Sequence, residues 1–260
     1  KPSEDAPWST QLAAELYRDA GLPAGVLNVV HGDGKAGEWL VRSSVDHICF
    51  TGSAEVGMSI RKVAAGSWHK TTSCEMGSKS ACIVFDDADI DMAVDAAIAS
   101  AFKLSGQRCV SSGRMIVQRG VYDEFCEKFV AKASKLKTGN PFVTRHGTCG
   151  TPAGIGVTSV LPNSDMYYGP LINEAAFNKV KLYNDLVLSN DTTDILLAPV
   201  YTGKDNARFS TPMVYTCEWG NKEFLKKEVF GPHVALIPFD TVEEGVEIYN
   251  DTEYGLAVGI

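Results

Sequence analysis

His47-Ile48-Cys49-Phe50-Thr51-Gly52-Ser53-Ala54-Glu55-Val56-Gly57 decides the fold class. His47 to Phe50 reads as a short strand, Thr51-Gly52-Ser53 as a turn, and Ala54 to Ala65 as a helix with apolar residues at helical spacing. Strand alternating with helix implies a parallel sheet covered on both faces, so the class is α/β. The turn also carries chemistry. Where a strand gives way to a helix, free N–H groups, the Ser53 hydroxyl and the positive end of the helix dipole converge on a point that suits an anion. The plainer reading is that Ser53 is an N-cap, a role serine fills in any protein.

The same rhythm extends in both directions. Upstream, Trp8 to Ala20 is helical, with Ser3 and Glu4 ahead of it and Gly21-Leu22-Pro23 to stop it. Val26-Leu27-Asn28-Val29-Val30 reads as a buried strand, and Gly32-Asp33-Gly34-Lys35-Ala36-Gly37 after it is a literal GxGxxG before the amphipathic Glu38 to Val41 segment. No clear acidic strand end follows about 20 residues on, which makes this glycine run the weaker of the two candidate pyrophosphate sites. Downstream, Ala81 to Phe85 is a strand and Asp86-Asp87-Ala88-Asp89 a turn and helix start, its acids explained by N-terminal capping more simply than by a metal. Ile90 to Leu104 is a periodic helix ended by Gly106; Gly113 to Val117 is a strand, Tyr122 to Leu136 a helix, and Val234 to Ile237 a strand. Phe142 to Met166, with Gly147, Gly150, Gly154 and Gly156, breaks the rhythm as a long exposed loop.

Bulk properties exclude several classes of function. The chain has 260 residues, 45% of them hydrophobic and 22% charged, with a net charge of −8. That suits an acidic protein with one large domain or two lobes, and disfavours nucleic acid as a partner. Seven cysteines at irregular spacing, with no CxxC pair or Cys/His cluster, argue against a disulfide framework or a zinc site, and for the cytoplasm or another reducing compartment. No apolar stretch approaches the roughly 20 residues that span a bilayer, so no membrane partner is expected. The chain opens on Lys1-Pro2-Ser3-Glu4 and closes inside the apolar run Leu256 to Ile260, which reads as an interior portion of a longer polypeptide.

Cys109 is the most informative single residue. Alone it would be a structural cysteine, but its neighbours Gln107, Arg108, Ser111 and Ser112 are polar, and Arg108 favours a thiolate if it turns toward the sulfur. Upstream stands Glu75, in Cys74-Glu75-Met76-Gly77-Ser78. A carboxylate can take the thiol proton or one from a water that attacks a thioester; the bland alternative is an exposed strand-end acid. Together the two residues suggest covalent acyl chemistry.

Four segments, Phe50-Thr51-Gly52-Ser53, Cys74 to Ser78, Ser105-Gly106-Gln107-Arg108-Cys109 and Glu228-Val229-Phe230-Gly231-Pro232, occur in an order that resembles the aldehyde dehydrogenase superfamily over nearly the whole chain. The spacing of Glu75 and Cys109 also matches the family's base and nucleophile. The resemblance implies a Rossmann-like parallel-sheet cofactor lobe, here a partial dinucleotide-binding domain over residues 1–74, followed by an α/β catalytic domain over 75–260, both incomplete. Small-molecule aldehydes would be oxidised to carboxylic acids through a Cys109 thiohemiacetal and thioester, with Glu75 as general base and NAD, or NADP, taking the hydride. Ser78 stands where the family has a second glycine, and the Phe142 to Met166 loop is longer than the family's usual link.

The resemblance also implies the cofactor contacts. Lys1 and Glu4 match a ribose-binding Lys-x-x-Glu pair, and a carboxylate there favours NAD over NADP, because it accepts from ribose hydroxyls and repels a 2′-phosphate. Gly52, Ser53 and Gly57 match the pyrophosphate turn. Glu228 would hold the nicotinamide ribose, with Phe230 packed near the ring; the alternative is a simple corner before the Val234 strand. An oxyanion donor comes from the Cys109 N–H. The family forms homodimers or homotetramers. A CoA-acylating relative and a catalytically silent scaffold are the rival functions, the first disfavoured by Glu75.

Overall fold

Short strands and capped helices alternate because the apolar spacing switches between periods of two and 3.6 and each switch is marked by a turn or cap residue. A computed structural model describes residues 1–140, 166–202 and 208–260. Nearly all of the glycine-rich Phe142 to Met166 stretch lies outside them. The chain divides into two units, Lys1–Gly77 and Ser78–Ile260.

In the first unit, α1 (Pro7–Asp19) starts with proline in its first turn and ends before Gly21, whose φ of +94° only glycine adopts without strain. Its N-cap is Ala6, without a side-chain cap, rather than Ser3 or Glu4. α2 (Gly34–Arg42) begins inside the glycine run, with Asp33 accepting from the Lys35 and Ala36 N–H groups. β1 (His47–Thr51) runs into α3 (Ala54–Ala64), and β2 (Thr71–Glu75) pairs with β1 in parallel. Val26 to Val30 is not a strand: no ladder partner stands beside it among the described residues, and Val26, Leu27 and Val30 are exposed. Four apolar residues around Asn28 cannot make a strand without a neighbour for their N–H and C=O groups.

The second unit is a six-stranded sheet. Its strands are β3 (Ala81–Val84), β4 (Arg114–Gln118), β5 (Asp194–Leu197), β8 (Met213–Thr216), β9 (His233–Phe239) and β10 (Val258–Gly259), in the spatial order β10-β3-β4-β9-β8-β5. All neighbours are parallel except β5 and β8. A short antiparallel pair, β6 (Tyr201–Thr202) and β7 (Phe209–Ser210), stands apart. Met115, Val117, Val234 and Leu236 face one core with α4 (Ile90–Phe102) and α5 (Arg119–Ala133). Ile116, Ala235 and Ile237 face another with α6 (Glu174–Leu188), α7 (Glu223–Lys226) and α8 (Val242–Asn250). This period-two division is what a parallel sheet buried on both faces requires. Asp89 caps α4 by accepting from the Met92 N–H at 3.1 Å.

Candidate active site

The cysteine loop takes its shape from a left-handed turn. After α4 the chain makes a single 3-10 turn, Lys103–Gly106, in which Leu104, Ser105 and Gly106 have φ of 54°, 60° and 70°. A Cβ on Gly106 would lie 2.4 Å from the Gly231 carbonyl oxygen, so the two backbones touch where only glycine allows it. That contact sets the segment leading to Cys109 against the Glu228 to Pro232 corner. Gly106 and Arg108 line a small polar pocket together with Ser78, Glu228 and Phe230.

Two side chains buttress the loop from below. Ser105 donates to the Gly169 carbonyl at 2.7 Å, and the Gln107 amide oxygen accepts from the Ile172 N–H at 2.9 Å. Arg108 does not serve the thiol. Its guanidinium donates to the Ala99 and Ser100 carbonyls at 3.1 and 2.8 Å and to Ser111 Oγ at 3.3 Å, so it caps the end of α4, where the dipole favours a cation. Cys109 is half-buried. Burial pushes the Cys126 and Cys217 thiols up to about 11.

The corner between α7 and β9 carries Glu228 and Phe230. Phe230 has φ of 61°, a rare conformation for a bulky residue, and it is 37% exposed. Glu228 is half-buried and accepts from the Ser78 N–H at 2.8 Å. Behind the corner lies a buried chain that periodicity does not reveal. Asn184 Nδ2 donates to Tyr201 Oη, Asn184 Oδ1 accepts from His233 Nδ1, and His233 Nε2 accepts from Tyr215 Oη at 3.0 Å. Burial, with Lys79 nearby, holds His233 well below 6.5, which keeps the imidazole neutral and this tautomer in place.

The remaining candidates sit in the first unit. Thr51 is in register with Glu75, and the Gly52 N–H donates to the Glu75 carbonyl at 3.0 Å. Glu75 therefore shares one end of the two-stranded sheet with Gly52 and Ser53. Ser53 Oγ accepts from the Val56 N–H at 3.3 Å and so does cap α3. A Cβ on Gly57 would meet Met76 Sδ at 2.6 Å, so this glycine lets α3 settle on the strand-end segment. Lys1 Nζ donates to the Pro2 and Gly32 carbonyls, both at 2.6 Å, and stands 3.8 Å from the largely exposed Glu4 carboxylate. Gly32 thus touches Lys1 rather than ending a strand. Among the described residues no three His, Cys, Asp or Glu side chains gather as metal ligands, and no helix is long and apolar enough to cross a membrane.

Comparison with known proteins supplies the frame for these placements. The family model for the aldehyde dehydrogenase family matches residues 1–260. The chain is 36% identical to aldehyde dehydrogenase family 2 member C4 of Arabidopsis thaliana over 262 residues, all of this chain and 48% of that protein. It is 38% identical to the mitochondrial succinate-semialdehyde dehydrogenase of Oryza sativa subsp. japonica over 267 residues, all of this chain and 45% of that protein. Among solved structures, betaine aldehyde dehydrogenase of Staphylococcus aureus, in complex with NAD+, superposes with a TM-score of 0.83 at 30% identity, covering 99% of this chain and 48% of that one. Gamma-glutamyl-gamma-aminobutyraldehyde dehydrogenase of Burkholderia cenocepacia does so with a TM-score of 0.86 at 33% identity, over 99% of this chain and 48% of that one. The chain spans about half the length of the curated relatives it matches. With the family model matching residues 1–260 and the chain superposing over 99% of its length on solved members, the kinship is settled: the chain belongs to the aldehyde dehydrogenase family.

Proposed function

We propose that this chain carries the nucleophile, the general base and most of the cofactor grip of an NAD-dependent dehydrogenase that oxidises an aldehyde to a carboxylic acid. The observation that carries the reading is the backbone contact of Gly106 on Gly231. It sets the cysteine loop against the Glu228 corner within the second unit, as a reaction between a Cys109 adduct and a cofactor held by Glu228 requires.

Residues 1–77 contribute a dinucleotide grip and residues 78–260 the nucleophile. The residues present fit a dinucleotide. The first turn of α3 is largely exposed and has N–H groups without intrahelical acceptors, and it follows a turn in which a Cβ on Gly52 would meet the Phe50 ring at 2.4 Å, so that only glycine fits there. The exposed Glu4 carboxylate suits ribose hydroxyls, and Lys1, already committed to two carbonyls, is poorly placed to welcome a 2′-phosphate; both favour NAD over NADP. NAD+ bound to the Staphylococcus aureus relative supports the same choice. Bound there, the nicotinamide supplies the hydride acceptor of the oxidation.

Cys109, as thiolate, attacks the aldehyde carbon to form a C–S bond, and its own N–H, which meets no acceptor among the described residues, is free to donate to the developing oxyanion. The thiohemiacetal loses its C–H hydrogen as hydride and collapses to a thioester. Glu75 then takes a proton from water, the resulting hydroxide equivalent adds to the thioester, and the acid leaves as the Cys109 thiolate returns. The same proposal places the protein in a reducing compartment, where the thiol persists, and in a homodimer or homotetramer.

The test is Glu75→Gln in the whole protein, with NAD and a panel of aldehydes. Steady-state turnover should fall by about a hundredfold or more while a single-turnover burst of NADH survives. Full turnover by the variant, a strict need for added CoA, or no NADH from the parent with any aldehyde would each overturn the proposal.

A further inference from the structure

Lys79, the second residue of the second unit, is buried at 4% exposure, and it is absent from every step above. Its ammonium donates to the carbonyls of Phe224 and Lys227, both at 2.8 Å. The second of these is the carbonyl of the peptide bond that joins Lys227 to Glu228. One residue earlier, the Ser78 N–H donates to the Glu228 carboxylate at 2.8 Å. Two adjacent residues thus hold Glu228 by its main chain and by its side chain. The hold is itself anchored, since the buried Arg114 guanidinium donates twice to the Lys79 carbonyl, at 3.0 and 2.7 Å.

The arrangement is costly, which is why it calls for a purpose. Among the described residues no carboxylate lies within ion-pairing reach of Lys79, and Arg114 is a second buried cation beside it. Burial, with a smaller push from Arg114, pulls Lys79 down to about 7. Either protonation state keeps two N–H donors for the two carbonyls, so the brace persists across neutral pH. The same segment reaches the nucleophile's loop, where Ser80 Oγ meets the Cys109 carbonyl at 3.5 Å and Ser78 Oγ at 2.7 Å.

We propose that Lys79 is a positioning residue for the cofactor site: by holding the Lys227–Glu228 peptide it fixes where the Glu228 carboxylate points. This rests on the reading of Glu228 as a cofactor contact. It adds a residue that touches neither substrate nor cofactor and acts only through the chain it grips.

The experiment is a double-mutant cycle on NAD affinity in the whole protein, read by calorimetric titration with NAD and no aldehyde. Glu228→Gln and Lys79→Met should each weaken NAD about tenfold, and the double variant should be no weaker than Glu228→Gln alone. The alkylation rate of Cys109 by iodoacetamide should change less than twofold in Lys79→Met, because the nucleophile is not its target. If Glu228→Gln weakens NAD while Lys79→Met changes it less than twofold, or if the two losses multiply to about a hundredfold, the positioning role is wrong. If Glu228→Gln has no effect, the cofactor reading itself fails, and this role with it. Should Lys79→Met not fold, Lys79→Gln, which keeps a donor for one carbonyl, takes its place in the cycle. Failure of both to fold would make Lys79 a residue of the core and overturn the proposal.

Discussion

Helix α1 and helix α4 both run for 13 residues, yet α1 buries none of its side chains, whereas α4 buries Ile90, Val94, Ala97, Ile98, Ala101 and Phe102. The contrast holds for the two units as a whole. In residues 1–77 the elements are fixed by local devices: Pro7 at the head of α1, the Asp33 and Ser53 caps, and one parallel ladder. In residues 78–260 they are fixed by burial on two faces of a six-stranded sheet. Local devices are worth about 1 kcal/mol each, and core side chains several times that. Sensitivity to mutation should therefore divide at Gly77.

The largest difference should come from the cores. Phe129, fully buried between Phe102 and Phe125, should cost about 3–5 kcal/mol as Phe129→Ala in denaturant unfolding. Leu16, 61% exposed on α1, should cost no more than about 0.5 kcal/mol as Leu16→Ala. Comparable losses at the two positions would erase the distinction.

Glycines sharpen it next. Gly106→Ala meets the Gly231 backbone at 2.4 Å in a left-handed conformation, and should cost about 2 kcal/mol or more along with most of the activity. Gly34→Ala, at the head of α2 with nothing within 4 Å, should be neutral or gain about 0.5 kcal/mol.

Legibility in the sequence divides along the same line. Period-two and period-3.6 patterns locate β3, β4, β9, α4 and α5 because their apolar residues have a core to enter, so pattern and burial coincide. Val26 to Val30 has the same apolar look without a ladder partner, and the reading of a strand fails there. Cys109 and Glu75 draw notice as a thiol and a carboxylate suited to acyl chemistry, whereas Glu228 and Phe230 are picked out only because their segment resembles a motif of the aldehyde dehydrogenase superfamily. Lys79, the His233–Asn184 pair and the Ser105 and Gln107 buttresses stay hidden, because their partners lie far away in the chain and their residue types carry no spacing rule. Arg108 is a related case. Its proximity to Cys109 in sequence suggests a thiolate partner, while two carbonyls at the end of α4 and the Ser111 hydroxyl claim the guanidinium.

Acid and base should expose the second unit selectively, since burial shifts His233 and Lys79 there. Unfolding returns both to ordinary values, so the unfolded chain binds more protons below about 6.5 for the histidine and from about 7 to about 10.5 for the lysine. Stability should rise with pH from about 5 to about 9, by up to about 1 kcal/mol per unit where Lys79 titrates. Above about 9 the Cys126 and Cys217 thiols, held up to about 11, reverse the trend. Lys79, facing Arg114, Glu228, Lys179 and Cys217, is the source of the upper slope, so Lys79→Met should flatten it. A profile with no slope between pH 7 and 8.5 in the parent would contradict this.

Caps give the smallest effects. Ser53→Ala and Asp89→Ala should each cost about 1 kcal/mol. Hydrogen exchange should show α3, with its sparse burial, opening locally after the loss of Ser53, whereas α4 should stay closed after the loss of Asp89. Equal protection in both helices would mean that burial does not separate the units.

In the proposed reaction Cys109 is the residue that carries the acyl group. Glu75→Gln, mixed with NAD and a substrate aldehyde, quenched in acid and digested, should yield a peptide containing Cys109 heavier by the acyl group, with the other six cysteines unmodified. An acyl group on a different cysteine, or NADH formed with no acyl peptide at all, would contradict the account.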